Sequence, residues 1–135
     1  MDTSLDHLTP EFRPLAMELI ARCVESGIHV VIINTLRSKA EQQAAIASGS
    51  SWTTKSKHLP QAPSGLSDAI DIAPLAQYIQ HGSVKVNWNG SDPAWAKMIA
   101  IGEAIGLRSG KSFPKPDLGH FEYVERSSAK AAGVQ

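Results

Sequence analysis

The segment Ala69-Ile70-Asp71-Ile72-Ala73 sets one carboxylate inside a short apolar run. Such a run, bounded by turn-forming residues, predicts a buried strand. An ionised aspartate in that position is costly unless a cation, a metal or several hydrogen-bond donors face it. The fold must therefore bring a partner to Asp71. His58 is the nearest candidate, at the mouth of a Pro/Ser/Gly-rich stretch. A second histidine, His120, enters another short predicted strand within Asp117-Leu118-Gly119-His120-Phe121-Glu122-Tyr123, with an acid three residues before it. Two imidazoles, one buried carboxylate and a free acid are the parts of a catalytic zinc site.

The rest of the composition narrows the function classes. At 135 residues the chain has the length of one domain with a real core. Thirteen basic and thirteen acidic residues cancel, which removes the electrostatic footprint of a nucleic-acid binder, so no nucleic-acid partner is expected. The single cysteine, Cys23, lies in an apolar-periodic segment and is read as a small core residue. The N-terminal residues are acidic and lack an apolar centre, which excludes a Sec signal peptide, and no window approaches a membrane span.

Read in order, Thr9-Pro10 predicts a helix start, with Thr9 as N-cap, and Gly27 a stop. The β-branched run over 28–36 predicts a buried central strand, with Arg37 at its carboxyl end. A second helix is expected over 39–48, closed by Gly49, then a long irregular loop over 50–67 that delivers His58. After the Asp71 strand, a helical turn over 75–79, a break at 81–83 and a weak strand over 84–88 are expected. Asn89-Gly90-Ser91-Asp92-Pro93 caps a third helix that ends at Gly106. A short strand over 107–109, a loop over 110–116, a strand over 120–124 and a frayed tail over 127–135 complete the chain. Helices on a small, mainly antiparallel sheet, without strict βαβ alternation, make the class α+β, one domain over 1–135 with a zinc cleft.

The motifs resemble those of the zinc D-alanyl-D-alanine carboxypeptidase and L-alanyl-D-glutamate endopeptidase family, which includes VanY-type enzymes and phage endolysins. Ser56-Lys57-His58 matches its Ser-x-His, Ala69-Ile70-Asp71 the end of its Gly-x-Ala-x-Asp, and Asp117-Leu118-Gly119-His120 its acid three residues before a histidine. Thr35-Leu36-Arg37-Ser38-Lys39-Ala40-Glu41-Gln42 looks like the family's arginine followed by a Glu-Gln pair. The resemblance implies His58, Asp71 and His120 as ligands of Zn2+, Asp117 as general base, and Arg37 and Ser56 as substrate-binding residues. Two departures stand out: residues 59–68 look like an insertion that moves Gly65 away from Ala69, and the base is aspartate where the family often has glutamate.

Several residues keep two readings. Asp68 is a solvated or capping residue, or a substitute ligand for Asp71; Glu122 shares the strand face of His120 and either orients it or makes a surface salt bridge. Trp88 and Trp95 pack in the core or its rim, or Trp88, between Asn87 and Asn89, lines a glycan or peptide groove. Lys55 and Lys57 are solvated or attract an acidic peptide, and His7, His29 and His81 are surface or strand-end residues. By resemblance, the chain is expected to be a monomeric phage endolysin that cleaves the peptidoglycan stem peptide at L-Ala-D-Glu. It would be made in the bacterial cytoplasm without a signal peptide and reach the wall through a holin. The alternatives are a D,D-carboxypeptidase of the same family and a non-catalytic peptidoglycan-binding or phage structural domain.

Overall fold

The structure is a computed structural model and describes residues 1–76 and 85–124. Most of the turn expected over 75–79, the break at 81–83 with His81, the start of the weak strand at 84 and the tail over 127–135 lie outside the described residues. The elements run α1 (Arg13–Glu25), β1 (Val30–Asn34), α2 (Lys39–Ala47), β2 (Ala69–Pro74), α3 (Pro93–Ile105), β3 (Arg108–Gly110) and β4 (Asp117–Glu122), after a 3-10 turn at Leu5–His7. Among the described residues, three helices and a four-stranded antiparallel sheet of order β1-β2-β4-β3 give the α+β class expected from the sequence.

Period-two alternation in the two inner strands divides the molecule into a core side and a site side. Ile70 of β2 lies opposite Phe121 of β4, and these two, with Ile72, join Phe12, Leu19, Met98 and Leu107 in the hydrophobic core beneath α1 and α3. Asp71 lies opposite His120 and Ala69 opposite Glu122, on the other face. The sequence Ala-Ile-Asp-Ile-Ala thus sends its bulk to the helices and leaves small residues beside the carboxylate. Cys23 is buried in the core, and burial pushes its thiol up to about 11, which makes it inert near neutrality.

Gly102 of α3 packs directly on the Phe121 ring, and a Cβ there would overlap two of the ring's carbon atoms. Gly102→Ala is therefore expected to lower stability by about 1–3 kcal/mol, because overpacking outweighs a helix-propensity gain of about 1 kcal/mol. A thermal melt checks this, and an unchanged or raised Tm would contradict it.

Three sequence expectations are corrected. The strand expected over 28–36 as central is an edge strand, shorter and mostly half-buried, because Ile28 closes the end of α1 through a hydrogen bond from its N–H to the Cys23 carbonyl, while residues 35–37 leave the ladder for other partners. The first helix begins at Arg13, not after Thr9: the Thr9 carbonyl accepts from both Phe12 and Arg13 N–H groups in a tighter turn, and its hydroxyl donates to Asp68 at 2.6 Å. The last strand runs Asp117–Glu122, starting three residues before the strand expected over 120–124. The other helix ends follow the sequence, with Ser38 and Glu41 forming a capping box on α2, Asp92 capping α3 and Gly106 closing it at φ 103°.

Candidate metal centre

Each ligand-type side chain reaches the site on a different device. Asp71 comes from inner strand β2 and His120 from its antiparallel neighbour β4. His58 comes from the loop, where its N–H is held by the Ser56 hydroxyl at 3.1 Å and its carbonyl accepts from Arg37 N–H at 2.9 Å. Residues 59–68 turn back on themselves, with Gln61 bridged to Leu66, and none of them lines the cleft, so the apparent insertion lies outside it. Asp2 ties down the neighbouring turn, accepting from the Thr35 hydroxyl at 2.8 Å and from Leu36 N–H at 3.2 Å.

The outer nitrogen of each imidazole is locked. His58 Nδ1–H donates to the Thr35 carbonyl at 2.6 Å, which leaves the Nε2 lone pair facing inward. His120 Nε2–H donates to Glu122 Oε1 at 2.8 Å, which leaves Nδ1 facing inward. Both inward nitrogens lie 3.1 Å from Asp71 Oδ1. His58 Nε2 is buried and, despite that proximity, has no aligned hydrogen bond. Lone pairs crowded against a carboxylate oxygen call for a cation between them. Two metal bonds of about 2.0–2.2 Å at a tetrahedral angle would separate donor atoms by roughly 3.3–3.5 Å, close to the separations found, so the donor set fits a zinc-sized ion.

The electrostatics lead to the same conclusion. Burial opposes charge on Asp71, but His58 and His120 outweigh it and hold the carboxyl far below its ordinary range. Burial also opposes charge on His120, yet hydrogen bonds to Asp71 and Glu122 lift it to about 9, so a proton satisfies the demand that a metal ion would otherwise meet. Glu122 is 7 % exposed, and the surface-salt-bridge alternative is the lesser part of its role: Arg108 approaches it at 3.7 Å while its other oxygen orients His120.

Asp117 lines the same cleft as His58 and His120. Strict alternation would send it to the opposite face from His120. The β3–β4 register, however, jumps from Ser109↔Phe121 to Gly110↔Asp117, and such an irregularity re-aims the side chain. Partial burial raises the Asp117 pKa, the Asp71 charge adds to that, and His120, His58 and Arg37 oppose it without cancelling it. Arg37 donates to Gln42 Oε1 at 2.6 Å and reaches to 3.9 Å from Asp71 Oδ2. Glu41, spent on the capping box, is not its hydrogen-bond partner. Asp68 accepts from Thr9 and stays out of the site.

Two further residues support the site without having been given a role from the sequence. Gln42 is 2 % exposed and fastens α2 to the loop, donating to Ser51 Oγ at 2.8 Å and to the Thr53 carbonyl at 2.6 Å while it accepts from Arg37. In the sequence Gln42 stood out only as part of the family's Glu-Gln pair, with no role of its own. Asn34 stands opposite Asp71 after a bulge in β1, buried, with neither amide atom hydrogen-bonded among the described residues. The cleft itself holds about 450 Å³; Trp52 and Phe113 meet edge-to-face across 5.5 Å at its wall, and Arg108 sits 4.8 Å above the Phe113 ring.

A family model of the phage L-alanyl-D-glutamate peptidases matches residues 2–108. The chain belongs to that family. The motif resemblance is thereby borne out, although the match stops short of His120. The crystal structure of the L-Ala D-Glu endopeptidase ChiX from Serratia marcescens is similar to the chain, with a TM-score of 0.62 and 20 % identity over 92 % of this chain and 86 % of that one. At that identity the likeness establishes the fold. No curated protein sequence matches. Among the described residues no helix is long and apolar enough to cross a membrane.

Proposed function

We propose that the chain is a zinc-dependent endopeptidase that cuts the L-Ala-D-Glu bond of the peptidoglycan stem peptide, with His58, Asp71 and His120 holding the ion. The observation that carries this reading is the pair of inward imidazole nitrogens, each locked from behind and both aimed at Asp71 Oδ1. Membership in a phage peptidase family supports the substrate and the wall as the place of action.

Zinc in this site supplies Lewis acidity, acidifying water and polarising the scissile carbonyl. Asp117 takes the proton of the attacking water and returns it to the D-Glu nitrogen as the C–N bond breaks. Its raised pKa suits a group that must both accept and release a proton. Thr35 and Glu122 keep the two imidazoles in the tautomers the ion requires. Arg37, aimed by Gln42, grips a substrate carboxylate or the developing oxyanion, and Ser56 borders the same mouth.

Metal analysis combined with mass spectrometry of digested muropeptides tests the proposal. One equivalent of zinc and a new D-Glu amino terminus are expected. Release of terminal D-Ala alone would instead make the chain a D,D-carboxypeptidase, and bound zinc without turnover would make it a non-catalytic domain.

Arg37 carries a separate prediction. Guanidinium grips a carboxylate through two parallel hydrogen bonds, whereas ammonium presents a point charge. Arg37→Lys is expected to keep zinc and Tm but lower kcat/KM about tenfold, the scale of one lost charge-assisted hydrogen bond. The loss falls in KM if Arg37 holds a ground-state carboxylate and in kcat if it meets the oxyanion. Unaltered kinetics would remove Arg37 from the site.

A further inference from the structure

A second groove, of about 300 Å³, borders the same centre. It shares Pro116 and Asp117 with the main cleft and reaches Asp71, so the two form one path across the site. Their chemistry differs sharply. The main cleft is lined by five cationic residues, Arg37, Lys55, Lys57, Arg108 and Lys115. The second groove has none; Ile33, Ile72, Trp95 and Leu118 form its body and Trp88 its lip.

Trp88 is 66 % exposed, the most open aromatic residue among those described. A lone exposed aromatic is ordinary, but this one is held in place beside the groove. The Trp95 indole N–H donates to the Asn87 carbonyl at 2.9 Å, and Asn87 N–H donates to the Pro74 carbonyl at 2.8 Å. The Trp88 and Trp95 rings lie 6.4 Å apart at 31°. The fold thus fixes the backbone just before Trp88 from two directions and presents a broad aromatic surface to solvent.

The stem peptide has a matching asymmetry about the bond named above. On the amine side stand D-Glu and the residues after it, which carry carboxylates. On the acyl side stands one small residue, L-Ala, joined through a lactyl group to the ring of N-acetylmuramic acid. Resting on the reading of this site as an L-Ala-D-Glu peptidase, we propose that the cationic cleft takes the carboxylate side and that Trp88 is a saccharide platform for the muramyl sugar. The electropositive C–H face of a pyranose packs on the electron-rich face of an indole, and a rigid ring makes that contact at little entropic cost. The enzyme is then specific for stem peptides still attached to glycan.

The test compares kcat/KM of the zinc-loaded protein on disaccharide-linked stem peptide and on the same peptide without sugar. Wild type is expected to prefer the linked substrate by about tenfold or more. Trp88→Ala should bring that ratio to near one, and Trp88→Phe should restore most of it. A wild-type ratio near one, or a ratio untouched by Trp88→Ala, would overturn the proposal. A titration of the peptide-free N-acetylglucosaminyl-N-acetylmuramic acid disaccharide, measured by isothermal titration calorimetry, separates this from the peptidase reading. If neither peptide is cut, the peptidase reading fails, yet saturable disaccharide binding lost in Trp88→Ala still upholds the platform and absence of binding overturns it.

Discussion

His58→Ala and His120→Ala are each expected to purify without zinc and without measurable hydrolysis of muropeptide. Two neutral imidazoles and one carboxylate leave a zinc site with a net charge of about +1 and room for water, and removing either nitrogen leaves two protein ligands. Loss of an outer hydrogen-bond partner of a ligand typically weakens metal affinity by about 10–100-fold, so loss of a ligand itself should exceed the upper end of that range. Glu122→Gln supplies the internal comparison, since it changes the group behind His120 Nε2 while leaving all three ligand side chains in place, and should fall within it. The measurement is metal content after dialysis at neutral pH, with folding followed by circular dichroism. A folded histidine variant that retains a full equivalent of zinc would show that the ligand assignment is wrong.

Asp117→Asn should lose at least ~10²-fold in kcat while keeping both zinc and fold, the range typical for removal of a general base. Asparagine preserves shape and removes only the ability to take a proton. In the metal-free protein the stability effect has a definite sign. Because the folded pKa of Asp117 is raised, its contribution to stability is fully present below the ordinary carboxylate pKa and is lost as pH rises through the folded value. At neutral pH the ionised group therefore opposes folding, and the metal-free asparagine variant should melt no lower than wild type. The acid limb of the wild-type pH–rate profile should also disappear in the variant. Near-normal turnover by folded, zinc-loaded Asp117→Asn would return that residue to a strand-end role and direct attention to Glu122.

Much of the site was legible in the residues because burial of charge leaves a mark in sequence. Asp71 between two isoleucines announced a demand for a cation, and His58 and His120 were the residues able to answer it. The helix ends were legible for a similar reason, since Asp92-Pro93 and Gly106 satisfy or interrupt backbone hydrogen bonds locally. The β1 reading failed because a β-branched run reports compatibility with a sheet, not position within it; whether a strand lies at the edge depends on which partners arrive from elsewhere in the chain. The burial of Gln42 and Asn34 was not legible for the complementary reason that a polar residue shows its burial only when distant segments close over it.

By itself, then, the sequence determined the α+β class and singled out His58, Asp71 and His120, the group that could hold a metal ion, because local periodicity and the cost of burying charge act within a few residues of chain. Only the tertiary structure decided which imidazole nitrogens face inward, since the Thr35 carbonyl and Glu122 that lock them come into place through folding. It also decided that Asp117 lines the same cleft as His120 despite the odd spacing, with a register jump against β3, and that the cationic cleft and the Trp88 groove share Pro116 and Asp117. Those outcomes depend on strand register and on packing between segments far apart in the chain, which no local pattern of residues encodes.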